Sequence, residues 1–385
     1  MQTVTARRLL RSSVLALGVL SLTACSMFSS KNERYEPHPL TEYAAGISAN
    51  VAWTASVGSG GGYGFAPTLL GDSVYVATPS GSVSKVNLAT GAIQWKATTD
   101  SKLSAGAGSD GRITAVAAAD GTITAFNDQG VQVWQAKATS EVNVPPVVGE
   151  GMVIVRSSDY RIQAFDAASG EPRWNIQRPG PSLALKTSMQ MRIVDGLLIS
   201  GLPSGKLIAI AVANGHVQWE GTVSVSQGAT DLERISDVVG APQIAGPLLC
   251  GVSYQGRIVC FDVSQGGLPI WEQRFSSNTG MTTDSQYVYA ANQRDTVYAY
   301  GLTDGHEAWK QDALSNRRLS SPAVVPQAVA FGDLDGYVHF LSRTDGRLLG
   351  RVNVGGGAIL SPLVATPRGV LVQTGGGNLL LVGVN

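Results

Sequence analysis

Apolar and polar residues alternate with a period of two along short segments of the chain, and these segments come in pairs joined by a tight turn. An apolar column lies two residues after each turn, and a second, mostly apolar column lies seven residues before it. The first column is Val83, Ile123, Ile162, Leu207, Ile258, Val297, Val338 and Leu379. Because alternation on both arms of a tight turn is typical of a half-buried β-hairpin, the pattern predicts eight hairpins.

Tryptophan recurs with the same period. The spacing between successive tryptophans is 38 to 52 residues, and most of them follow a glycine by four residues, as in Gly91 to Trp95. The seven are Trp53, Trp95, Trp134, Trp174, Trp219, Trp271 and Trp309. A further copy of the turn, Gly346 to Gly350, has no tryptophan. Repeats of about 40 residues, each with a hairpin and two flanking strands, are typical of β-propeller blades.

Trp53 precedes the first hairpin, and the eighth hairpin runs to Asn385 with no outer strand after it. We therefore expect the strand around Trp53 to pair into the last blade, which closes the ring and removes an exposed sheet edge. The predicted fold is all-β: an eight-bladed β-propeller over residues 47–385 with four antiparallel strands per blade. The 46 glycines of the 385-residue chain agree with many short strands and turns.

The first 24 residues have the features of a bacterial export signal. Arg7, Arg8 and Arg11 precede a short apolar stretch over residues 12–23, which is too short to cross a bilayer of about 30 Å. Leu22-Thr-Ala-Cys25 resembles a lipobox, in which cleavage precedes the cysteine and the cysteine is acylated. An ordinary signal peptide with a chance cysteine is the alternative interpretation.

Ser26 stands where an aspartate would resemble an inner-membrane retention signal. The predicted location is therefore the outer membrane, on its periplasmic face, with Cys25 as the lipid anchor. Residues 25–46 are polar, contain two prolines and show no periodicity, so they predict a flexible, lipidated tether.

Composition argues against several functions. Lys and Arg together number 28, as do Asp and Glu, so there is no basic surplus for nucleic acid. The four histidines, His38, His216, His306 and His339, have no metal-ligand spacing, and no known catalytic motif is present. We predict no catalytic residue, no metal site and no cofactor. Cys250 and Cys260 flank one hairpin, and a two-residue turn would place them on opposite faces as free thiols.

Two inter-blade segments are longer than the rest. From the tryptophan to the next hairpin's apolar column takes 24 residues after Trp174 and 30 after Trp219, against 17 to 20 after four other tryptophans. Both join an outer strand to the next inner strand, so they emerge side by side on one face, where recognition surfaces are often built. The first contains Leu183, Leu185 and Lys186. The alternative is that their apolar residues plug the ring.

The second long segment runs through Thr230-Asp-Leu-Glu233-Arg234-Ile-Ser-Asp237. Its spacing predicts a helical turn in which Thr230 is the cap and Glu233 completes a capping box. Glu233, Arg234 and Asp237 are its candidate partner-binding residues.

The glycine turn with a tryptophan, after strands such as Gln163-Ala-Phe165-Asp166, resembles the docking repeat of pyrroloquinoline quinone propellers. The adjacent cysteines of the enzymes in that group are missing. Over nearly its whole length the chain resembles the BamB family of outer-membrane assembly lipoproteins. The shared marks are the lipobox, the Trp53-Thr-Ala-Ser-Val-Gly-Ser-Gly opening, eight repeats and the two long segments.

The resemblance implies a non-catalytic scaffold of the β-barrel assembly (Bam) complex that binds the POTRA domains of BamA and assists insertion of outer-membrane proteins. Direct contact with unfolded outer-membrane proteins is left open. It implies that Leu183 and Leu185 are apolar anchors. Lys186 stands where the family more often has arginine, Asp237 matches an acidic position, and Val239 replaces a second one. Two other interpretations stay open: a quinone enzyme with its cofactor in the channel, and a periplasmic ligand-binding propeller.

Overall fold

The computed structural model describes residues 35–384 and consists of eight four-stranded antiparallel sheets. Seven sheets use four consecutive strands each, and the eighth combines the last three strands with the first. Neighbouring inner strands contact one another around a central channel, so the sheets are the blades of a propeller. Residues 35–38 belong to a separate N-terminal unit with exposed side chains. The predicted signal peptide, Cys25 and the tether up to residue 34 lie outside the described residues.

The blades are numbered in chain order, and the four strands of each blade are given from the innermost to the outermost. Blades 1 to 4 are β2 (Thr68–Leu70), β3 (Ser73–Ala77), β4 (Ser82–Asn87) and β5 (Ile93–Thr98); β6 (Gly108–Ser109), β7 (Thr114–Ala117), β8 (Thr122–Phe126) and β9 (Gln132–Lys137); β10 (Val147–Gly149), β11 (Met152–Arg156), β12 (Arg161–Asp166) and β13 (Pro172–Gln177); and β14 (Met191–Val194), β15 (Leu197–Gly201), β16 (Lys206–Ala211) and β17 (Val217–Thr222).

The second half of the ring has the same order, and its blade 5 carries a short 3-10 helix, Val263–Gln265. Blades 5 to 8 are β18 (Val238–Ala245), β19 (Leu248–Ser253), β20 (Gly256–Asp262) and β21 (Leu268–Phe275); β22 (Met281–Thr283), β23 (Tyr287–Ala291), β24 (Val297–Gly301) and β25 (Glu307–Gln311); β26 (Ala323–Val325), β27 (Ala328–Gly332), β28 (Tyr337–Ser342) and β29 (Leu348–Asn353); and β30 (Val364–Thr366), β31 (Gly369–Gln373), β32 (Asn378–Val384) and β1 (Ala49–Ser56).

The ring closes as the orphan tryptophan strand predicts. Strand β1 pairs antiparallel with β32, with Trp53 opposite Leu381. The first strand of the propeller thus forms the outer strand of blade 8. The prediction of eight blades closed by the N-terminal strand is confirmed. Within residues 35–384, no helix is long and apolar enough to cross a membrane.

The tryptophans hold adjacent blades together. The indole of each tryptophan lies against the glycine turn of the next blade, and a Cβ on Gly91 would come within 2.7 Å of the Trp53 ring. Only glycine therefore fits beneath the indole, and its positive φ suits the turn. Five of the seven indole Nε1 atoms donate to a backbone carbonyl of the next blade, as Trp53 does to Leu88 at 2.8 Å and Trp271 to Leu302 at 2.8 Å.

The interface between blades 7 and 8 differs because blade 8 has no turn between its third and outer strands. Gly350 of β29 stands where other blades carry tryptophan, and a Cβ there would lie 3.0 Å from Ile47. The backbone N–H groups of Gly46 and Ile47 donate to the Leu349 carbonyl at 2.8 and 3.3 Å. Arg351 contacts the Thr41 carbonyl and the Tyr43 ring. Residues 41–46, the end of the predicted tether, and Ile47 therefore lie on the outer strand of blade 7.

The free-thiol prediction for Cys250 and Cys260 is wrong, because the two residues form a disulfide. Strands β19 and β20 pair Cys250 directly with Cys260 and Val252 with Ile258. This register leaves three residues in the loop, Tyr254 to Gly256, where the prediction assumed two. Directly opposed residues of antiparallel strands project to the same face, so the sulfurs meet inside the blade 5 core.

Candidate partner-binding face

Two long loops lie on one face of the ring: the 178–190 loop before β14 and the 223–237 loop before β18. Each contacts the turn between the second and third strands of the preceding or following blade. Tyr160 Oη donates to the Pro181 carbonyl at 2.8 Å, and Gln255 Nε2 donates to the Leu232 carbonyl at 3.4 Å. The two segments that the repeat identified as long therefore occupy the same face, as predicted from their position in the blades.

The two leucines of the 178–190 loop have different environments. The side chain of Leu183 is 43% exposed, with no regular structure around it. Leu185 is half-buried and packs against the apolar core of blade 5, which includes Trp271 and Phe275. Leu185 therefore attaches the loop to the ring, while Leu183 is presented to solvent.

The same loop crosses the mouth of the channel. Ser188 Oγ donates to the carbonyl of Tyr63, which precedes blade 1, at 3.1 Å. The Thr187 hydroxyl bonds to the carbonyl of Asn278, which precedes blade 6. The Gly240 N–H donates to the Ser188 carbonyl at 2.6 Å. Residues 187–190 thus join three separate parts of the ring, so the plug interpretation fits this end of the loop, whereas partner binding by Leu183 stays a prediction.

The 223–237 loop contains the predicted capping interactions in a turn, not a regular helix. Glu233 Oε2 accepts the Thr230 N–H at 3.1 Å, and Thr230 Oγ1 accepts the Glu233 N–H at 3.3 Å. The Thr230 N–H holds the pKa of Glu233 below its usual range. Ile235 is buried beneath the turn, and Leu232 is 66% exposed. The turn therefore presents a second apolar side chain on this face.

Asp237 joins the two loops from below. Its side chain is fully buried, and Oδ2 accepts the Leu185 N–H at 2.6 Å across the 52 residues between them. Oδ1 has no hydrogen-bond partner within residues 35–384. Burial raises the pKa of Asp237 to about 6, although the Leu185 N–H and the charge of Arg156 both lower it. Asp237 therefore determines the position of the 178–190 loop and presents no charge on the surface.

Arg156 is the buried cation beside this carboxylate. Its guanidinium bonds to Ser200 Oγ at 3.2 Å, to the Gly201 carbonyl and to Met189 Sδ at 2.8 Å. Burial lowers the pKa of Arg156 to about 10. The interpretation of the sequence missed this residue. The repeat does contain a signal for it, because Arg156 stands at a position where five other blades have alanine or glycine. Those residues are Ala77, Ala117, Gly201, Ala291 and Gly332.

The predicted charged residues Lys186, Glu233 and Arg234 are all exposed on this face. Lys186 Nζ lies 3.3 Å from Oε2 of Glu141, in the loop before blade 3, and the Lys186 side chain is 76% exposed. Arg234 Nε donates to the Gly228 carbonyl at 3.1 Å, which holds the guanidinium against its own loop. These groups surround the exposed leucines, an arrangement in which apolar residues supply affinity and charged residues at the rim supply orientation.

Clusters of metal-ligating or titratable side chains are the features that would indicate a chemical site. Within residues 35–384, no three His, Cys, Asp or Glu side chains come together in a group that could hold a metal ion. His339 is buried, and its Nε2 lies 2.8 Å from Asp333 Oδ2, which also accepts from Arg317 Nε at 2.8 Å. This buried ion cluster lies within blade 7 and the loop before it.

The tryptophan-docked blades define an eight-bladed β-propeller that carries two long loops on one face. The family model described as "Outer membrane protein assembly factor BamB" matches residues 47–127 and 79–311. The BamB of Bordetella pertussis is 60% identical over 375 residues, which cover 97% of each chain. The BamB of Burkholderia pseudomallei is 40% identical and covers 94% of this chain and 95% of its own. The chain belongs to the BamB family of outer membrane protein assembly factors.

Solved structures agree on the fold. The crystal structure of BamB from Moraxella catarrhalis has a TM-score of 0.80 at 22% identity and covers 87% of this chain and 100% of its own. The quinohemoprotein alcohol dehydrogenase from Comamonas testosteroni has a TM-score of 0.69 at 14% identity, covering 87% of this chain and 76% of its own. At these identities the likeness concerns the architecture alone, so it transfers no enzyme activity.

Proposed function

We propose that this chain is a non-catalytic scaffold subunit of the Bam complex and binds the POTRA domains of BamA through its two long loops. The observation that carries the proposal is Leu183, an exposed leucine on a loop that Asp237 fixes from below, in a member of the BamB family. A fixed apolar side chain loses little conformational freedom on binding, so most of its burial contributes to affinity.

Leu183 and Leu232 are the apolar contacts of the proposed interface. Each would contribute about 1.5–3 kcal/mol if fully buried, before the costs of association. Leu185 acts mainly by attaching the loop to the core of blade 5. This division assigns different roles to two leucines that the sequence presents as equivalent.

The ionic contacts of the proposed interface are Lys186, Arg234 and Glu233. Lys186 is exposed and paired only weakly with Glu141, so it can turn to a carboxylate on the partner. A lysine offers a point charge and cannot make the bidentate contact of an arginine. Asp237 contributes by holding Leu185, since its own carboxylate is buried.

The proposal includes a lipid anchor at Cys25 in the outer membrane, with the propeller in the periplasm. The lipobox and the export signal support it. The predicted tether spans residues 25–46. A segment of about twenty residues, extended at about 3.3 Å per residue, would reach roughly 60 Å from the bilayer.

The experiment is co-purification with BamA from membranes of cells that express the full-length chain. We expect Leu183→Asp to reduce recovery of BamA at least tenfold, because a carboxylate cannot enter an apolar contact without losing its hydration. The matched control is Leu268→Asp, since Leu268 is 65% exposed on β21, outside both loops. BamA recovery that Leu183→Asp leaves unchanged, with the fold intact by circular dichroism, contradicts the proposed interface.

A further inference from the structure

The central channel is a cavity that the proposed function does not use. It encloses about 880 Å³ and is lined by inner strands of all eight blades. Residues 187–190 cross one of its mouths through hydrogen bonds to Tyr63, Asn278 and Gly240. A cavity of this volume, covered at one end, can hold a small molecule and cannot be threaded by a protein segment from that side.

One cation lines this channel without a counter-charge. Arg192 is the second residue of β14, and its side chain reaches the water-accessible interior of the channel. Within residues 35–384 the guanidinium makes no side-chain hydrogen bond, ion pair or ring contact. The surrounding protein lowers the pKa of Arg192. An arginine that is partly desolvated and unpaired keeps all five of its N–H donors available to a ligand.

The rest of the lining is nearly neutral. Asp284 is the acidic residue of the lining, and it already lies 3.3 Å from Arg343 and accepts from Tyr289 Oη at 2.9 Å. Arg192 is the third residue from the end of its inner strand. The corresponding residues of six other blades are Thr68, Val147, Gln243, Met281, Ala323 and Val364. Because the other lining residues are uncharged or already paired, the positive potential inside the channel is centred on Arg192.

We propose that the channel is a binding site for a small oxyanion, a phosphate- or carboxylate-bearing solute, held by Arg192. The planar guanidinium matches two oxygens of either group in a bidentate contact, which chloride cannot make. Thr282 and Thr283 of β22 add hydroxyl groups to the lining. Binding needs no movement of the long loops, so the site is independent of the proposed contact with BamA.

The test uses the purified full-length protein with inorganic phosphate and, separately, succinate, each against sodium chloride at equal ionic strength. We expect at least one oxyanion to raise the melting temperature by about 1–3 °C at ten times its Kd. Arg192→Gln abolishes this rise. Arg274→Gln keeps it, since Arg274 is exposed on the outer strand β21. For phosphate, the linewidth of the ³¹P signal measures binding directly.

One further variant and one control measurement complete the test. Arg192→Lys retains a point charge and is expected to bind at least tenfold more weakly than the wild type. In buffer without oxyanions, Arg192→Gln melts close to the wild-type temperature, because the side chain is exposed to the channel and, within the part of the chain that the structure describes, makes no hydrogen bond or ion pair that the change would remove. The proposal is overturned if neither oxyanion binds the wild type, or if Arg192→Gln binds as the wild type does. BamA recovery with Arg192→Gln stays at the wild-type level, which separates this site from the loops.

Discussion

Asp237 lies at the end of one loop and determines the conformation of another. Its carboxylate accepts the Leu185 N–H, and the charge of Arg156 and the ring of Tyr160 lie near it. Its acidic character is visible in the sequence, but its burial is not, because alternation does not show what covers the first residue before a strand. The sequence therefore indicates a surface charge where the structure has a buried support.

The raised pKa of Asp237 makes stability depend on pH. The folded state takes up the proton near pH 6 and the unfolded chain near pH 4, so this stabilising contribution is complete below pH 4 and is lost as the pH rises through 6. The free energy of unfolding of the wild type, relative to Asp237→Asn, should fall by about 2.5 kcal/mol between pH 4 and pH 7. Urea titrations at several pH values measure it. A difference that stays constant with pH contradicts the assignment.

Cys250 and Cys260 mark another limit at the residue scale. The hairpin itself follows from the alternation of Leu249 to Phe261, but the facing of the two sulfurs depends on whether the loop has two or three residues. A change of one residue reverses the face of every side chain on one strand. Turn length is not fixed by the pattern of apolar positions, so the disulfide could not be derived from it.

At the scale of elements, the tryptophan and the glycine turn form one unit that spans two blades. The repeat predicts both members, and the missing tryptophan at Gly350 is also visible in the sequence. The structure explains why the tryptophan is missing: blade 8 has no glycine turn for it to pack against, and Ile47 covers Gly350 instead. Residues 41–47 have no periodicity, so nothing in the sequence distinguishes them from the rest of the tether.

The packing of residues 41–47 on blade 7 leads to a prediction about the stability of the ring closure. Tyr43 and Ile47 are half-buried on blade 7, so the double variant Tyr43→Ala with Ile47→Ala should lower the free energy of unfolding by about 2 kcal/mol. Ala44→Ser, which changes an exposed neighbour, serves as the control. Guanidinium denaturation measures both. If the double variant and the control unfold alike, residues 41–47 contribute nothing to the closure of the ring.

At the scale of the whole molecule, the number of blades, the closure through Trp53 and the position of the two long loops all follow from the repeat. A repeated unit defines a normal loop length, and the two loops that depart from it form the candidate partner-binding face. The sequence does not show that the 178–190 loop also covers the channel, because its contacts with Tyr63 and Asn278 join distant segments. Such contacts depend on the closed ring.

The central claim is that BamA contacts the face that carries Leu183. Its most direct test replaces single residues of the full-length chain with a photo-crosslinking amino acid in living cells. A crosslinker at position 183 should give a product that contains BamA, whereas one at position 268, on the outer strand of blade 5, should give none. Crosslinks to BamA from position 268 and none from position 183 would contradict the account.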